Sequence, residues 1–145
     1  MKNQDIIAII DDDAPVREGV KRLVYSLGYV ARTFSSAEEF LASDFLRNVR
    51  CIISDVQMAG GGAFLQNRLA AIGCSIPIVF MTALPNRTMK TTLLGAGATC
   101  VLSKPFHQDE MANCIAAVFE QPNTKAATNA CVTRGEATEQ PNERI

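Results

Sequence analysis

The sequence lacks the charge patterns that are typical of proteins that bind nucleic acids or membrane surfaces. Its 14 basic and 15 acidic residues give a formal net charge of −1, without any basic patch. No apolar stretch approaches the roughly 20 residues that a membrane-spanning helix needs. The N-terminus also lacks a cleavable signal pattern. We therefore expect a cytoplasmic protein that by itself binds neither nucleic acid nor a membrane.

The five cysteines lack the spacing of a zinc site or of a disulfide framework. Their number is odd, and no C-x-x-C motif occurs. Three of them lie in or beside apolar runs, which favours their interpretation as small buried side chains in a reducing compartment. A redox role for Cys131, which stands in a polar stretch, is the open alternative.

The chain alternates between short β-branched runs and segments of helical periodicity. With 145 residues, 48% of them hydrophobic, it is long enough for one domain with a single core. The runs predict five strands, over residues 5–10, 29–34, 50–54, 75–81 and 99–102. A helical stripe follows each run. This alternation predicts an α/β fold, a doubly wound five-stranded parallel sheet flanked by five helices.

Prolines, glycines and the loss of periodicity predict where helices begin and where the domain ends. Pro15 and Pro85 are expected to begin the first and fourth helices, because proline is favoured in the first turn. Residues 59–62 contain three consecutive glycines and predict a flexible connector before the third helix. Periodicity stops near residue 122. We therefore expect one domain over residues 1–121 and a polar, disordered tail over 122–145.

Polar groups follow four of the predicted strands. The carboxyl ends of parallel strands meet at one edge of a sheet, so these groups should converge. Crowded carboxylates repel each other unless a cation intervenes, and Mg²⁺ prefers oxygen ligands. A carboxylate beside a metal, an ammonium and a hydroxyl is equipped to become an acyl phosphate. The groups are Asp11, Asp12 and Asp13 after the first strand, Asp55 after the third, Thr82 after the fourth and Lys104 after the fifth.

Each of these residues also has a purely structural interpretation. The three acids at 11–13 could favour the dipole of the helix that follows them, although one acid would suffice for that role. Thr82 could be a helix N-cap, and both roles can hold together. Lys104 could be an ordinary surface lysine. His107, the sole histidine, is better interpreted as a solvated or capping residue than as a catalytic base.

Four segments in this order, IIDDDAPVREGV, IISDVQM, VFMTA and LSKPF, resemble the receiver domain of two-component response regulators, which has the CheY-like fold. Each segment alone is a weak signal of the family, but together the four are a strong one, because each lies at its own predicted strand and they occur in the right order. The resemblance covers about residues 5–119. DVQM and LSKPF are also similar to receivers of the FixJ/NarL type, which often precede a helix-turn-helix domain.

The resemblance implies a phosphoacceptor and a metal site. Asp55 would accept the phosphoryl group. Asp11 and Asp12 would be the acidic pair that binds Mg²⁺, with Asp12 the more direct ligand. Asp55 itself and the backbone carbonyl of Gln57 would complete the protein's ligands. Asp13 falls where the family commonly has a third acid, and its role is expected to be minor.

The resemblance also implies how phosphorylation would be transmitted. Lys104 would pair with the phosphoryl group, Thr82 would move toward it, and a cis peptide at Pro105 would aim the lysine. Two positions depart from the family pattern. Ala59 stands where proline is usual, in a loop about one residue short. Val101 stands where an aromatic residue often swings inward, so the aromatic switch is expected to be absent or muted.

The function that the resemblance implies is a phosphoacceptor switch, fed by a sensor histidine kinase or a phosphotransfer protein. Beyond its own phosphotransfer and dephosphorylation it is expected not to be an enzyme. We expect a stand-alone receiver that signals, or forms a homodimer, through its fourth helix, fifth strand and fifth helix. The alternative is the receiver portion of a DNA-binding transcriptional regulator. A small phosphatase or flavodoxin-like carrier is less favoured, because acids stand where a cofactor loop is needed.

Overall fold

The computed structural model describes residues 6–57, 61–83 and 86–119, in which strands and helices alternate. The strands are β1 Ile6–Ile10, β2 Val30–Phe34, β3 Val49–Asp55, β4 Ile78–Thr82 and β5 Cys100–Ser103. The helices are α1 Ala14–Ser26, α2 Ala37–Leu41, α3 Gly61–Ala71, α4 Arg87–Gly95 and α5 Gln108–Phe119. A 3₁₀ turn, Asp44–Arg47, connects α2 to β3.

All five strands pair in parallel, in the spatial order β2-β1-β3-β4-β5. The predicted fold is therefore confirmed. β1 and β3 occupy the middle of the sheet and bury apolar side chains on both faces, as their unbroken apolar runs predict. This order brings the carboxyl ends of β1 and β3 side by side, with those of β4 and β5 next along the same edge.

The helices cover the two faces of the sheet with separate apolar clusters. One cluster joins the sheet to α1 and α5 through Val20, Val24, Met111, Ile115 and Val118. The other joins it to α2, α3 and α4 through Phe40, Leu65, Leu69 and Leu93. Each of these side chains contributes about 1.5–3 kcal/mol when it is fully removed from water. Packing on both faces fixes the strand ends that carry the polar groups.

Two predicted helix starts are wrong. α3 already begins at Gly61, so Gly61 and Gly62 belong to the helix and not to a connector. Packing of Leu65 and Leu69 against the sheet outweighs the cost of about 1 kcal/mol for each helical glycine. α4 begins at Arg87, not at Pro85, because the side chain of Asn86 caps it and accepts a hydrogen bond from Met89 N at 3.1 Å.

Several predictions fall on parts of the chain outside the described residues. These are the departure at Ala59, the redox alternative at Cys131 and the tail over 122–145. They stay predictions. Among the described residues, no helix is both long enough and apolar enough to cross a membrane.

The cysteines that the structure describes lie mostly in the core. Cys51 and Cys114 are buried and Cys100 is partly buried, all three as free thiols, which confirms their predicted role as small core residues. Burial, reinforced by a hydrogen bond with Cys100, raises the pKa of Cys114 to about 12. Cys74 is buried but disulfide-bonded, so the prediction of a free thiol is wrong there.

Two glycines, one within α1 and one just after it, should respond to alanine in opposite directions. Gly28 follows the helix with a φ of +96°, where a β-carbon is strained, so Gly28→Ala should lower the free energy of unfolding by about 1 kcal/mol. Gly19 lies within the helix, where an added β-carbon would meet no atom of the described residues within 4 Å. Gly19→Ala should therefore raise the free energy of unfolding by about 1 kcal/mol. Urea denaturation measures the free energy of unfolding of both variants. Changes of the same sign would contradict the predicted difference between a glycine of positive φ and a glycine within the helix.

Candidate functional site

Three carboxylates meet where β1 and β3 end. Ile10 pairs with Ser54, so the next residues along the two strands, Asp11 and Asp55, stand at adjacent positions. Asp11 is fully buried and Asp55 is 5% exposed, whereas Asp12 is exposed. Each of the three offers an oxygen within 4.8 Å of the others. An all-oxygen set of this kind suits a hard divalent cation such as Mg²⁺.

Lys104 reaches this cluster from the end of β5. Its Nζ lies 3.2 Å from Asp11 Oδ2 and 3.5 Å from Asp55 Oδ1. The Lys104 backbone N–H donates to the Thr82 carbonyl at 2.7 Å, and the Lys104–Pro105 peptide bond is cis. The lysine thus provides one positive charge to two buried carboxylates. A further anion bound at Asp55 would meet the same ammonium.

The environment of Asp11 raises the pKa of its carboxyl group. Burial raises the pKa of this carboxyl above its ordinary value, and the negative charge of Asp55 raises it further. The Asp13 N–H, 2.9 Å from Asp11 Oδ1, and the Lys104 ammonium lower the pKa but only in part. Arg17 Nη1 donates to the Asp11 carbonyl at 2.7 Å and holds the backbone of this segment. The cluster therefore has more negative charge than Lys104 offsets.

Asp13 belongs to the helix and not to the carboxylate cluster. Its side chain is the N-cap of α1 and accepts a hydrogen bond from Val16 N at 3.3 Å. Asp13 thus has a structural role as a helix cap, and its minor role as a third acid near the metal stays a prediction. His107 also acts at a helix start: its N–H donates to Glu110 Oε1 at 2.9 Å, and its carbonyl accepts from Glu110 N. His107 is exposed and its backbone makes these bonds at the start of α5, in agreement with the expected solvated or capping residue.

The side chain of Gln57 makes the contacts that sequence analysis missed. Its Nε2 donates to Thr82 Oγ1 at 2.8 Å, and its Oε1 accepts from Ala83 N at 3.0 Å. Its backbone N–H donates to Asp55 Oδ1 at 3.2 Å. Thr82 is buried and does not cap α4, since Asn86 does, so that alternative is wrong. The bridge joins two loops 25 residues apart, and no local pattern in the sequence indicates it.

Val101 lines a cavity of about 170 Å³ next to Thr82. Ser103 and the first residues of α4 complete its walls. We expect Val101→Phe to change the free energy of unfolding by less than about 1 kcal/mol, because the cavity can accept the ring. Val79→Phe is the matched control on β4, where the valine is fully buried. Val79→Phe should lower the free energy of unfolding by about 1–3 kcal/mol through overpacking, as measured by urea denaturation. Equal losses in the two variants would contradict the expectation that the cavity accepts the ring.

The raised pKa of Asp11 predicts how stability depends on pH without divalent cations. The folded state binds the Asp11 proton more tightly than the unfolded state, so this group stabilises the fold at low pH. That contribution is fully present below the ordinary value of 3.8 and is lost as pH rises through the folded pKa. We therefore expect wild-type protein in EDTA to lose stability relative to Asp11→Asn over this window. Urea denaturation across pH measures the difference; a constant difference would contradict the prediction.

Comparison with known proteins agrees with this geometry. Residues 7–116 match the family model described as response regulator receiver domain. The chain is 31% identical over 118 residues to transcriptional regulatory protein TdiR of Thauera aromatica, covering 81% of this chain and 52% of that protein. It is 30% identical over 131 residues to transcriptional regulatory protein FixJ of Bradyrhizobium diazoefficiens, covering 90% of this chain and 64% of that protein.

A crystal structure of a response regulator receiver protein from Burkholderia phymatum superposes with a TM-score of 0.69 at 36% identity, covering 81% of this chain and 96% of that one. The chain spans about half the length of the first curated relatives that it matches. The family match covers most of the sequence, and the acidic cluster and its lysine lie at the sheet edge where the resemblance puts them. The chain therefore belongs to the response regulator receiver domain family, the signalling switches of two-component systems.

Proposed function

We propose that the chain accepts a phosphoryl group on Asp55 from a sensor histidine kinase or a phosphotransfer protein in the cytoplasm. The observation that carries this proposal is the convergence of Lys104 with the carboxylates of Asp11, Asp12 and Asp55. Receiver domains generally bind Mg²⁺ at an acidic pocket, and these three carboxylates with the Gln57 carbonyl would hold the ion here. When bound, Mg²⁺ would neutralise charge on the phosphoryl oxygens.

The residues of this chain would orient the acceptor for in-line transfer. The Lys104 ammonium and the Gln57 N–H both contact Asp55 Oδ1, which restrains the carboxylate at the end of β3. An Asp55 oxygen would attack the phosphorus of a phosphohistidine. The new O–P bond would form as the P–N bond breaks, and the electron pair would return to the histidine nitrogen. Lys104 would then pair with a phosphoryl oxygen through a charge-assisted hydrogen bond.

The proposed output is a change at the surface formed by α4, β5 and α5. Thr82 at the end of β4 lines the cavity with Val101 and contacts Gln57 next to the acceptor, and its hydroxyl would couple the two in this proposal. A protein partner or a second copy of the chain would bind this surface. Size-exclusion chromatography with light scattering, before and after phosphorylation, distinguishes a homodimer from a monomeric switch.

A second candidate is that the chain acts as the receiver portion of a DNA-binding transcriptional regulator. The names of TdiR and FixJ describe transcriptional regulatory proteins, and the chain spans 52% and 64% of their lengths. In this case the α4–β5–α5 surface would control an attached output domain instead of a separate partner. Sequencing the gene beyond the codon for Ile145 distinguishes the two candidates directly.

Intact-mass spectrometry with acetyl phosphate tests the proposed function. The wild-type protein should gain one phosphoryl group in Mg²⁺ and none in EDTA. Borohydride reduction of the acyl phosphate followed by trypsin should mark the peptide 51–68, whose single carboxylate side chain is Asp55. Modification of any other peptide, or none in Mg²⁺, would contradict the proposal.

A further inference from the structure

The Gln57 side chain ties together the two loops that flank the acceptor. The residue lies in the turn after β3, and both ends of its amide are engaged by residues at the end of β4. The donor end binds the Thr82 hydroxyl oxygen at 2.8 Å, and the acceptor end binds the Ala83 N–H at 3.0 Å. An amide that meets a hydroxyl and a backbone N–H with complementary polarity forms a two-point clamp.

The two groups that the clamp holds lie beside the acceptor. Asp55 pairs with Met81 in the sheet, so Thr82 and Ala83 are the residues that follow its partner on the neighbouring strand. Resting on the proposed function, a phosphoryl group on Asp55 would present anionic oxygens to this hydroxyl and this N–H. Bonds to such oxygens are charge-assisted and stronger than bonds to a neutral amide.

We propose that the Gln57 side chain is a latch for the unphosphorylated state. It occupies Thr82 Oγ1 and the Ala83 N–H, and it must release them before they can engage the phosphoryl group. Gln57 is thus a positioning residue that sets the balance between the resting and the phosphorylated arrangements. Phosphorylation exchanges two bonds to a neutral amide for charge-assisted ones, which drives the release.

The position of Gln57 allows the release without disturbing the fold. Its side chain is exposed and lies outside both apolar clusters, so it can turn into water at little cost. Its backbone N–H contacts Asp55 Oδ1 independently of the side chain. Substitution of the side chain therefore separates the latch from the backbone contacts of the acceptor.

Gln57→Met tests the latch, because methionine keeps the length of the side chain and removes both polar ends. Gln66→Met is the matched control: Gln66 Nε2 donates to Leu93 O at 3.0 Å, which also joins two segments but does not involve Thr82 or Ala83. The first readout is the Ala83 amide resonance in ¹H–¹⁵N spectra of unphosphorylated protein. It should move in Gln57→Met toward its position in the beryllofluoride complex with Mg²⁺, and stay in place in Gln66→Met.

The second readout is the phosphorylated fraction at subsaturating acetyl phosphate. Loss of two neutral hydrogen bonds from the resting state should favour the phosphorylated arrangement by up to roughly tenfold in its equilibrium constant. Gln57→Ala, which adds no apolar atoms at the surface, should give the same direction of change. A shift of Ala83 equal in both methionine variants, or an unchanged or lower phosphorylated fraction in the Gln57 variants, would overturn the latch.

The two proposals fail in different ways in this experiment. If the wild-type protein is phosphorylated but the Gln57 variants behave as wild type, the latch alone is wrong. If the wild-type protein takes up no phosphoryl group in Mg²⁺, the proposed function is wrong and the latch with it. Movement of Ala83 together with a higher phosphorylated fraction supports both.

Discussion

Replacing Asp55 with asparagine should abolish phosphorylation by acetyl phosphate in Mg²⁺. The amide keeps the shape of the side chain but lacks the anionic oxygen that attacks phosphorus, so no acyl phosphate forms. The variant should nevertheless fold, because asparagine keeps the shape of the side chain and removes one of three crowded negative charges. Intact-mass spectrometry measures the effect, which we expect to be a complete loss of the phosphorylated species.

Asp13→Asn is the matched control for that experiment. It makes the same chemical change at the residue that follows Asp12 and lies outside the cluster, and asparagine caps a helix as well as aspartate does. We expect Asp13→Asn to reach the wild-type phosphorylated fraction. Phosphorylation that survives in Asp55→Asn, or that is lost equally in both variants, would contradict the assignment of Asp55 as the acceptor.

Replacing Asp12 with asparagine should weaken Mg²⁺ binding at least about 100-fold. Changes at residues that only support a metal ligand typically cost about 10–100-fold in affinity, and Asp12 would contribute a charged oxygen directly. Because Asp12 is exposed, its loss should leave the free energy of unfolding nearly unchanged. Titration with Mg²⁺ by calorimetry or NMR gives the affinity.

Asp13→Asn again provides the comparison, since Asp13 is exposed and adjacent to Asp12 but serves α1. A purely electrostatic attraction of Mg²⁺ to a negative surface would weaken similarly in both variants. Direct ligation predicts a large loss in Asp12→Asn and a small one in Asp13→Asn. Equal affinities in the two variants would exclude Asp12 as a ligand.

The sequence by itself determined the sheet, its helical layers and the edge that carries the chemistry. Continuous β-branched, apolar runs such as Ile6–Ile10 favour a strand buried on both faces, and the helical stripes between them indicate crossovers. Because a parallel sheet collects its strand ends at one edge, the positions of Asp55 and Lys104 followed from the order of segments. These patterns are local and do not depend on contacts between distant segments.

Helix starts were less predictable, because several local signals compete there. Three glycines predict a loop, yet α3 begins at Gly61 once its apolar side chains can pack on the sheet. Pro85 and Asn86 are both acceptable starting signals, and the capping bond of Asn86 decided between them. The three acids also differ in their roles: the side chain of Asp13 caps α1, whereas Asp11 and Asp12 belong to the carboxylate cluster.

Only the tertiary structure decided which side chains contact one another around Asp55. The bridge from Gln57 to Thr82 and Ala83, and the cavity beside Val101, both depend on side chains from segments far apart in the chain. Such contacts depend on loop conformation and on the register between strands, neither of which leaves a periodic trace in the sequence. The sequence thus determined where the proposed phosphorylation site lies, whereas the fold decided which hydrogen bonds surround it.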